Sequence, residues 1–387
     1  MKFESKPPLA PQAAAERQYH DQRMTEADFS QAPFTIAWEI TRACAYACVH
    51  CRADAQHRPD PQELTHEEGF RLIDRLAEFG SPILVFTGGD PMMRRDLFEL
   101  IEHATGKGLR CSLTPTATAL PTIERLRKAK DAGIRRIALS LDAPNPNVHD
   151  NFRQISGSWE RTMRILRNAQ EVGISAQVNT TVARHNLHLL PLMVPFIEEV
   201  GAVQWSVFFL VPTGRAQTSW MISADEHEQL FHWLYELSQK APFDIKATAA
   251  PMYRRVAIER KRAEQDAGND DHKSQISFQG AGFQFADGLN RPTRGVNDGN
   301  GFLFISHRGD IMPSGFLPIP AGNVRNDDVV RVYREHPLFL DLRDPAKLKG
   351  KCGICEYRDV CGGQRGRAFG ILGDYLESDP ACAYEPQ

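Results

Sequence analysis

The sequence predicts an α/β protein: a partial (β/α)6 TIM-type barrel followed by a small cysteine-rich domain. Three observations carry that expectation. Short β-branched or apolar runs alternate with segments of helical period from residue 34 to about residue 240. The rhythm then breaks. Four of the eight cysteines crowd into the last 36 of 387 residues.

The strand candidates are Phe34–Ile40, Ile83–Thr87, Cys111–Thr114, Arg136–Leu141, Ala176–Val182 and Val203–Leu210. Between them lie helix candidates at His66–Phe79, Asp96–Gly106, Thr122–Ala132, Ser158–Val172 and Leu189–Val200, and a sixth, Ala224–Gln239, follows the last strand. Strands alternating with helices imply parallel pairing with right-handed crossovers. Six such units fall two short of an eightfold barrel. An open doubly wound sheet would fit the same periodicity. The expected division is an N-terminal arm at 1–33, the barrel at 34–240, a linker or lid region at 241–300 and the cysteine-rich domain at 301–387. Arg254–Gln275 reads as a helix running into a polar surface or lid segment. Gly301–Ile305 and Asp310–Pro313 flank Ser306-His307-Arg308-Gly309 as a β-hairpin.

Composition bounds the function. Lys+Arg number 46 against 49 Asp+Glu, a net charge of −3, and a general nucleic-acid binder needs a basic surface. No apolar run reaches the roughly 18 residues of a membrane span. The polar, Pro/Ala-rich start MKFESKPPLAPQAAAERQ has no apolar signal-peptide core. A cytoplasmic location is expected, with neither nucleic acid nor membrane as partner. In a reducing compartment, clustered cysteines bind metal or do redox chemistry.

The first cluster is Cys44-Ala-Tyr-Ala-Cys48-Val-His-Cys51, a C-x3-C-x2-C loop directly after the first strand. Loops after parallel strands lie at the carboxyl end of the sheet, where active sites gather. Three thiolates can hold three irons of a [4Fe–4S] cube and leave the fourth open. A zinc ion completed by His50 or His57 is the competing reading. The second cluster, Cys352-x2-Cys355-x5-Cys361-x20-Cys382, can close a cluster completely, whereas a zinc ribbon usually needs two C-x2-C hooks and only one is present. Cys111, on a strand, reads as core.

C-x3-C-x2-C after the first strand of a βα barrel resembles the radical S-adenosylmethionine (SAM) superfamily. Thr87-Gly88-Gly89-Asp90-Pro91 follows the second strand, where that family has a G-G-E-P-like motif contacting the SAM amino group. Paired glycines suit close approach of backbone to a ligand. The resemblance implies Cys44, Cys48 and Cys51 as ligands of a SAM-binding cluster, and SAM contacts from His50, Gly88, Gly89, Asp90, Pro91, Ser140, Arg153 and Asn179. It further implies an electron donor such as ferredoxin or flavodoxin. The tail resembles the auxiliary-cluster domains called SPASM or twitch. Ser314 stands where fuller versions have a cysteine, so one auxiliary [4Fe–4S] cluster, on Cys352, Cys355, Cys361 and Cys382, is implied. CGICEYRDVCGGQRGRAFGILGDYLESDPAC is most like the members that remodel tetrapyrrole side chains, with Gln364 as a departure. A tetrapyrrole carries several carboxylates, which makes Arg215, Arg254, Arg255, Arg365 and Arg367 candidate anchors. His185, His188, His227 and His232 are available as iron ligands, and none stands out. The alternative substrate is a ribosomal peptide, although such maturases often carry an N-terminal peptide-binding domain and only 33 residues precede the first strand here. The alternative of a different class is a non-catalytic iron–sulfur or zinc scaffold.

Overall fold

Seven strands run parallel in sequential order: β1 (Thr35–Glu39), β2 (Ile83–Thr87), β3 (Arg110–Leu113), β4 (Arg136–Ser140), β5 (Ser175–Val182), β6 (Gln204–Phe209) and β7 (Asp244–Thr248). The computed structural model describes residues 28–266 and 295–387. Most of the expected arm and the polar stretch from 267 lie outside the described residues. Helices stand between the strands within two residues of where their periodicity places them. The helix His66–Ala77 begins at a capping box between Thr65 and Glu68 and buries Leu72, Ile73 and Leu76. The helix Ala224–Ser238 begins at an equivalent box between Ser223 and Glu226.

β7 is the element the alternation does not announce. Its sequence, Asp-Ile-Lys-Ala-Thr, carries a lysine at the centre, so no apolar run marks it. It pairs with β6 through Ser206↔Lys246 and turns Ala224–Ser238 into a crossover helix. The helix Tyr253–Asp266 follows. Its first turns are core rather than surface or lid: Tyr253, Val256, Ala257 and both Arg254 and Arg255 are buried.

The C-terminal region re-enters the same sheet. β8 (Phe302–Ile305) lies parallel on the free edge of β1, in the register Thr35↔Phe302 to Trp38↔Ile305. It turns through Ser306–Gly309 into antiparallel β9 (Asp310–Met312), as the hairpin pattern anticipates. β10 (Gly322–Asn323) completes the order β10-β9-β8-β1-β2-β3-β4-β5-β6-β7.

The strands divide their side chains by face. Ile36, Trp38, Leu84, Phe86, Leu113, Ile137, Leu139 and Val178 are buried in the main hydrophobic core, with Cys111 among them. Burial pushes the Cys111 thiol up to about 11, so it stays protonated. The other face carries mainly small or polar side chains, among them Ala37, Thr87, Ser112, Ala138, Ser140, Gln177 and Asn179, with a few larger ones such as Ile83, Val85 and Phe208, and these line a cavity of about 580 Å³. Bulky branched residues fill the centre of a full TIM barrel. Small ones here leave the bore open. Among the described residues no helix is long and apolar enough to cross a membrane.

Candidate active site

The cysteine loop is a braced structure. Ala43 and Gln56 form a bridge at its base, with Cys44 N–H donating to Gln56 O at 2.7 Å and Gln56 N–H to Arg42 O at 2.9 Å. Glu63 accepts from Thr41 Oγ1 and Arg42 N–H, each at 2.8 Å. The Tyr46 hydroxyl donates to Ala117 O, and Arg161 Nε reaches the same carbonyl at 3.1 Å. On the far side, Arg215 donates from its backbone N–H to Cys51 O and from Nε to Cys48 O, both at 3.0 Å.

Cys44, Cys48 and Cys51 are free thiols on the wall of the central cavity. Burial raises the Cys44 thiol, opposed by Thr116 Oγ1 at 3.5 Å and the Tyr46 N–H at 3.4 Å from the sulfur. Burial raises Cys48 as well, opposed by Arg153, whose Nη1 is 3.9 Å from its sulfur. These donors would stabilise thiolates once an electropositive metal centre supplied the main driving force. The other four cysteines, Cys352, Cys355, Cys361 and Cys382, share the wall of a second, small cavity. There Tyr357 N–H points at Cys355 Sγ and Gly363 N–H at Cys361 Sγ, both at 3.4 Å, and Arg365 Nη2 is 3.7 Å from Cys352 Sγ. Burial pushes Cys361 up to about 12 and Cys382 up to about 11. Both sets fit metal-bound thiolates through their free sulfurs, shared cavities and aimed donors. Among the described residues, no three His, Cys, Asp or Glu side chains converge to grip a single ion.

Of the other expected SAM contacts, His50, Gly88, Gly89, Ser140, Arg153 and Asn179 all line the central cavity, whereas Asp90 and Pro91 do not. Ser140 and Asn179 are register partners on β4 and β5. His50 stacks on Phe152 with ring centroids 3.8 Å apart. Burial, reinforced by Arg153, lowers its pKa to about 3, so the ring is neutral. Arg153 is bound to the buried Asp142, with Nε and Nη2 each 2.7 Å from Oδ2.

The glycine pair also packs closely on the cysteine loop. A Cβ on Gly88 would stand 2.4 Å from Thr41 O, and one on Gly89 would stand 2.3 Å from Ala43 O. Gly89 N–H donates to Thr41 O at 2.9 Å and Asp90 N–H to Ala43 O at 2.7 Å. The close approach is to the base of the cysteine loop. Asp90 itself is fully buried and accepts from Thr118 Oγ1 at 2.9 Å, Met92 N–H at 3.1 Å and Thr116 N–H at 3.3 Å. Its carboxylate is taken up by those three donors, and Asp90 is not among the residues that line the cavity.

The arginine anchors are mostly structural. Arg255 pairs with Glu228 and Glu259. Arg365 donates to the carbonyls of Tyr375 and Glu377, and Arg367 pairs with Asp379. Of the five, Arg254 alone lines the central cavity. None of His185, His188, His227 and His232 does. Sequence reasoning passed over other cations that line it: among the described residues Arg52, Arg110, Arg135, Arg136 and Lys246 join Arg153 and Arg254, with Asp298 the one carboxylate on the lining and Glu39 and Asp142 behind Arg52 and Arg153. Strand alternation is the signal that could have found Arg136 and Lys246, since both sit on inward positions.

Comparison with known proteins places the whole chain in a family. The model of the radical SAM superfamily matches residues 38–188. An AdoMet-dependent heme synthase of Nitratidesulfovibrio vulgaris is 41% identical over 354 residues, covering 91% of this chain and 92% of that protein. The mycofactocin maturase MftC of Mycolicibacterium smegmatis is 28% identical, over 91% of this chain and 83% of that one. Among solved structures, Streptococcus suis SuiB bound to precursor peptide SuiA has a TM-score of 0.65 at 16% identity, covering 99% of this chain and 84% of that chain, which is a likeness of fold. The chain belongs to the radical SAM superfamily, whose enzymes work with a [4Fe–4S] cluster and SAM.

Proposed function

We infer that this enzyme remodels carboxylate-bearing side chains of a tetrapyrrole, as the name of its heme-synthase relative suggests. The observation that supports the reading is the basic lining of the cavity: among the described residues Arg110, Arg135, Arg136, Lys246 and Arg254 join Arg52 and Arg153, the last two paired with Glu39 and Asp142. A substrate with several carboxylates suits a wall rich in basic side chains. In this reading Cys44, Cys48 and Cys51 hold three irons of a cluster whose open iron takes SAM. When bound, cluster and SAM supply a carbon radical that abstracts a substrate hydrogen. The chain's own part is positioning and exclusion of water. Ser140 and Asn179 offer polar contacts from adjacent strands, the His50–Phe152 stack forms an aromatic wall, and Gly88 and Gly89 lock the second loop against the first. Asp90 and Pro91 act indirectly, by setting that loop. Cys352, Cys355, Cys361 and Cys382 hold one auxiliary [4Fe–4S] cluster, and a small reduced protein such as ferredoxin or flavodoxin supplies electrons.

The test is anaerobic. The protein is reconstituted with iron and sulfide, reduced with dithionite and given SAM, and 5′-deoxyadenosine is quantified by mass spectrometry with and without an iron porphyrin. Deoxyadenosine stimulated by the porphyrin supports the reading. Deoxyadenosine that the porphyrin leaves unchanged sends the substrate toward a peptide, as for the mycofactocin relative. None from fully iron-loaded protein overturns the open-iron assignment.

A further inference from the structure

The segment Leu210-Val-Pro-Thr-Gly-Arg-Ala216 leaves the end of β6 and crosses onto the cysteine loop. Gly214 has φ +65°, and a Cβ there would collide with the carbonyls of Cys51 and Arg52. Glycine alone combines that left-handed turn with so close an approach. The turn sets the Arg215 N–H 3.0 Å from Cys51 O, and Arg215 Nε reaches Cys48 O at 3.0 Å. One residue therefore grips the loop at two of its three cysteines.

A neutral donor would satisfy a carbonyl, but this one brings a charge. Arg215 Nη1 is 3.6 Å from Asp54, whose carboxylate is half-exposed, and Nη2 is buried with no hydrogen-bond partner among the described residues. Neither Arg215 nor Asp54 lines the central cavity, so the charge is not turned toward a substrate there. A cation held beside an iron–sulfur centre favours its reduced, more negative state. Asp54 works in the opposite direction, weakened by its contact with water.

We propose that Arg215 is a positioning residue of the three-cysteine centre: it fixes the Cys48–Cys51 half of the loop and holds a positive charge against it that makes the bound cluster easier to reduce, with Asp54 as a partial counterweight. The assignment rests on reading Cys44, Cys48 and Cys51 as cluster ligands. It replaces the substrate-anchor role expected of Arg215 from the sequence.

Redox titration of the anaerobic, iron- and sulfide-reconstituted protein, followed by the electron paramagnetic resonance of its reduced clusters, tests it. The signal lost in a Cys44→Ala, Cys48→Ala, Cys51→Ala triple variant belongs to the three-cysteine centre. In Arg215→Met the midpoint of that signal should move to more negative potential, by about tenfold in the ratio of reduced to oxidised centre, or about 59 mV for one electron. Arg215→Lys, which keeps the charge, should stay near the wild type. Asp54→Asn should move the midpoint the other way. Asp54 has φ +47°, and asparagine tolerates that conformation, so the backbone is preserved. A loss of packing alone would not produce shifts of opposite sign from the two members of the pair. If Arg215→Met takes up no iron at this site, Asp54→Asn decides by itself. Midpoints equal to the wild type in Arg215→Met and Asp54→Asn would overturn the assignment while leaving the cluster reading intact. If the triple variant loses no signal, the cluster reading fails and this assignment fails with it.

Discussion

Gly89 and Asp90 are adjacent in sequence and serve the site in different ways. Gly89 lacks a Cβ because the cysteine loop's backbone occupies that space. Asp90 is a buried acceptor for three donors drawn from two loops. A methyl group at Gly89 must displace backbone rather than a flexible side chain. Gly89→Ala is therefore expected to cost about 1–3 kcal/mol and to lower iron retention at the three-cysteine site. Denaturant unfolding and iron analysis of the reconstituted variant check both effects. Unchanged iron content would show that the loop adapts without losing its shape.

Between elements, the β8–β9 turn clasps the end of β1. His307 lies between two carboxylates, Glu39 at 2.8 Å and Asp60 at 3.3 Å, and Arg308 also binds Asp60. Glu39 in turn pairs with Arg52, the residue after Cys51, at 2.6 Å. The hairpin thus reaches the cysteine loop through one buried acid. The Gln62 N–H, with Arg308 and His307, lowers Asp60 from its ordinary 3.8 to about 2. A depressed carboxylate stabilises the fold above its unfolded pKa, and that contribution fades as pH falls through the folded one. The contribution of Asp60 should be complete above about pH 4 and vanish toward about pH 2. Asp60→Asn should lower stability at neutral pH and flatten the acid limb in that window, read as denaturant midpoints from pH 5 downward. An unchanged acid limb would place the acid sensitivity elsewhere.

At the scale of the whole molecule, a buried arginine of the tail, held by an ion pair within the tail, reaches the barrel. Arg367 and Asp379 are both fully buried, 2.9 Å apart, and Arg367 also donates to Leu210 O after β6 and to Ala249 O after β7. Arg367→Met strands Asp379 without its partner, and breaking a buried pair on one side costs about 3–5 kcal/mol. A drop of that size in unfolding free energy is the expected result, and a stability within error of wild type would show that the tail docks by other contacts. The two cysteine sets line separate cavities. Replacing Cys44, Cys48 and Cys51 together by Ala should abolish SAM cleavage and leave about half the iron, if each set holds four. Complete loss of iron would contradict two independent sites.

Local periodicity determined a great deal. The alternation of strands and helices, the six expected helices, the hairpin about Ser306–Gly309 and both cysteine sets are written in near-neighbour spacing, which a sequence displays directly. Tertiary structure alone decided the rest. β7 was hidden by Lys246, because a cation aimed into an open bore breaks the apolar run by which a buried strand is recognised. The seating of β8 on β1 joins residues more than 260 positions apart, and strand pairing leaves no mark in local composition. The destinations of the arginines were equally illegible. Arg254 and Arg367 are alike as residues, but one faces the cavity and the other a buried aspartate. A charge takes its role from the partner that folding brings to it, and that partner is set by the three-dimensional neighbourhood.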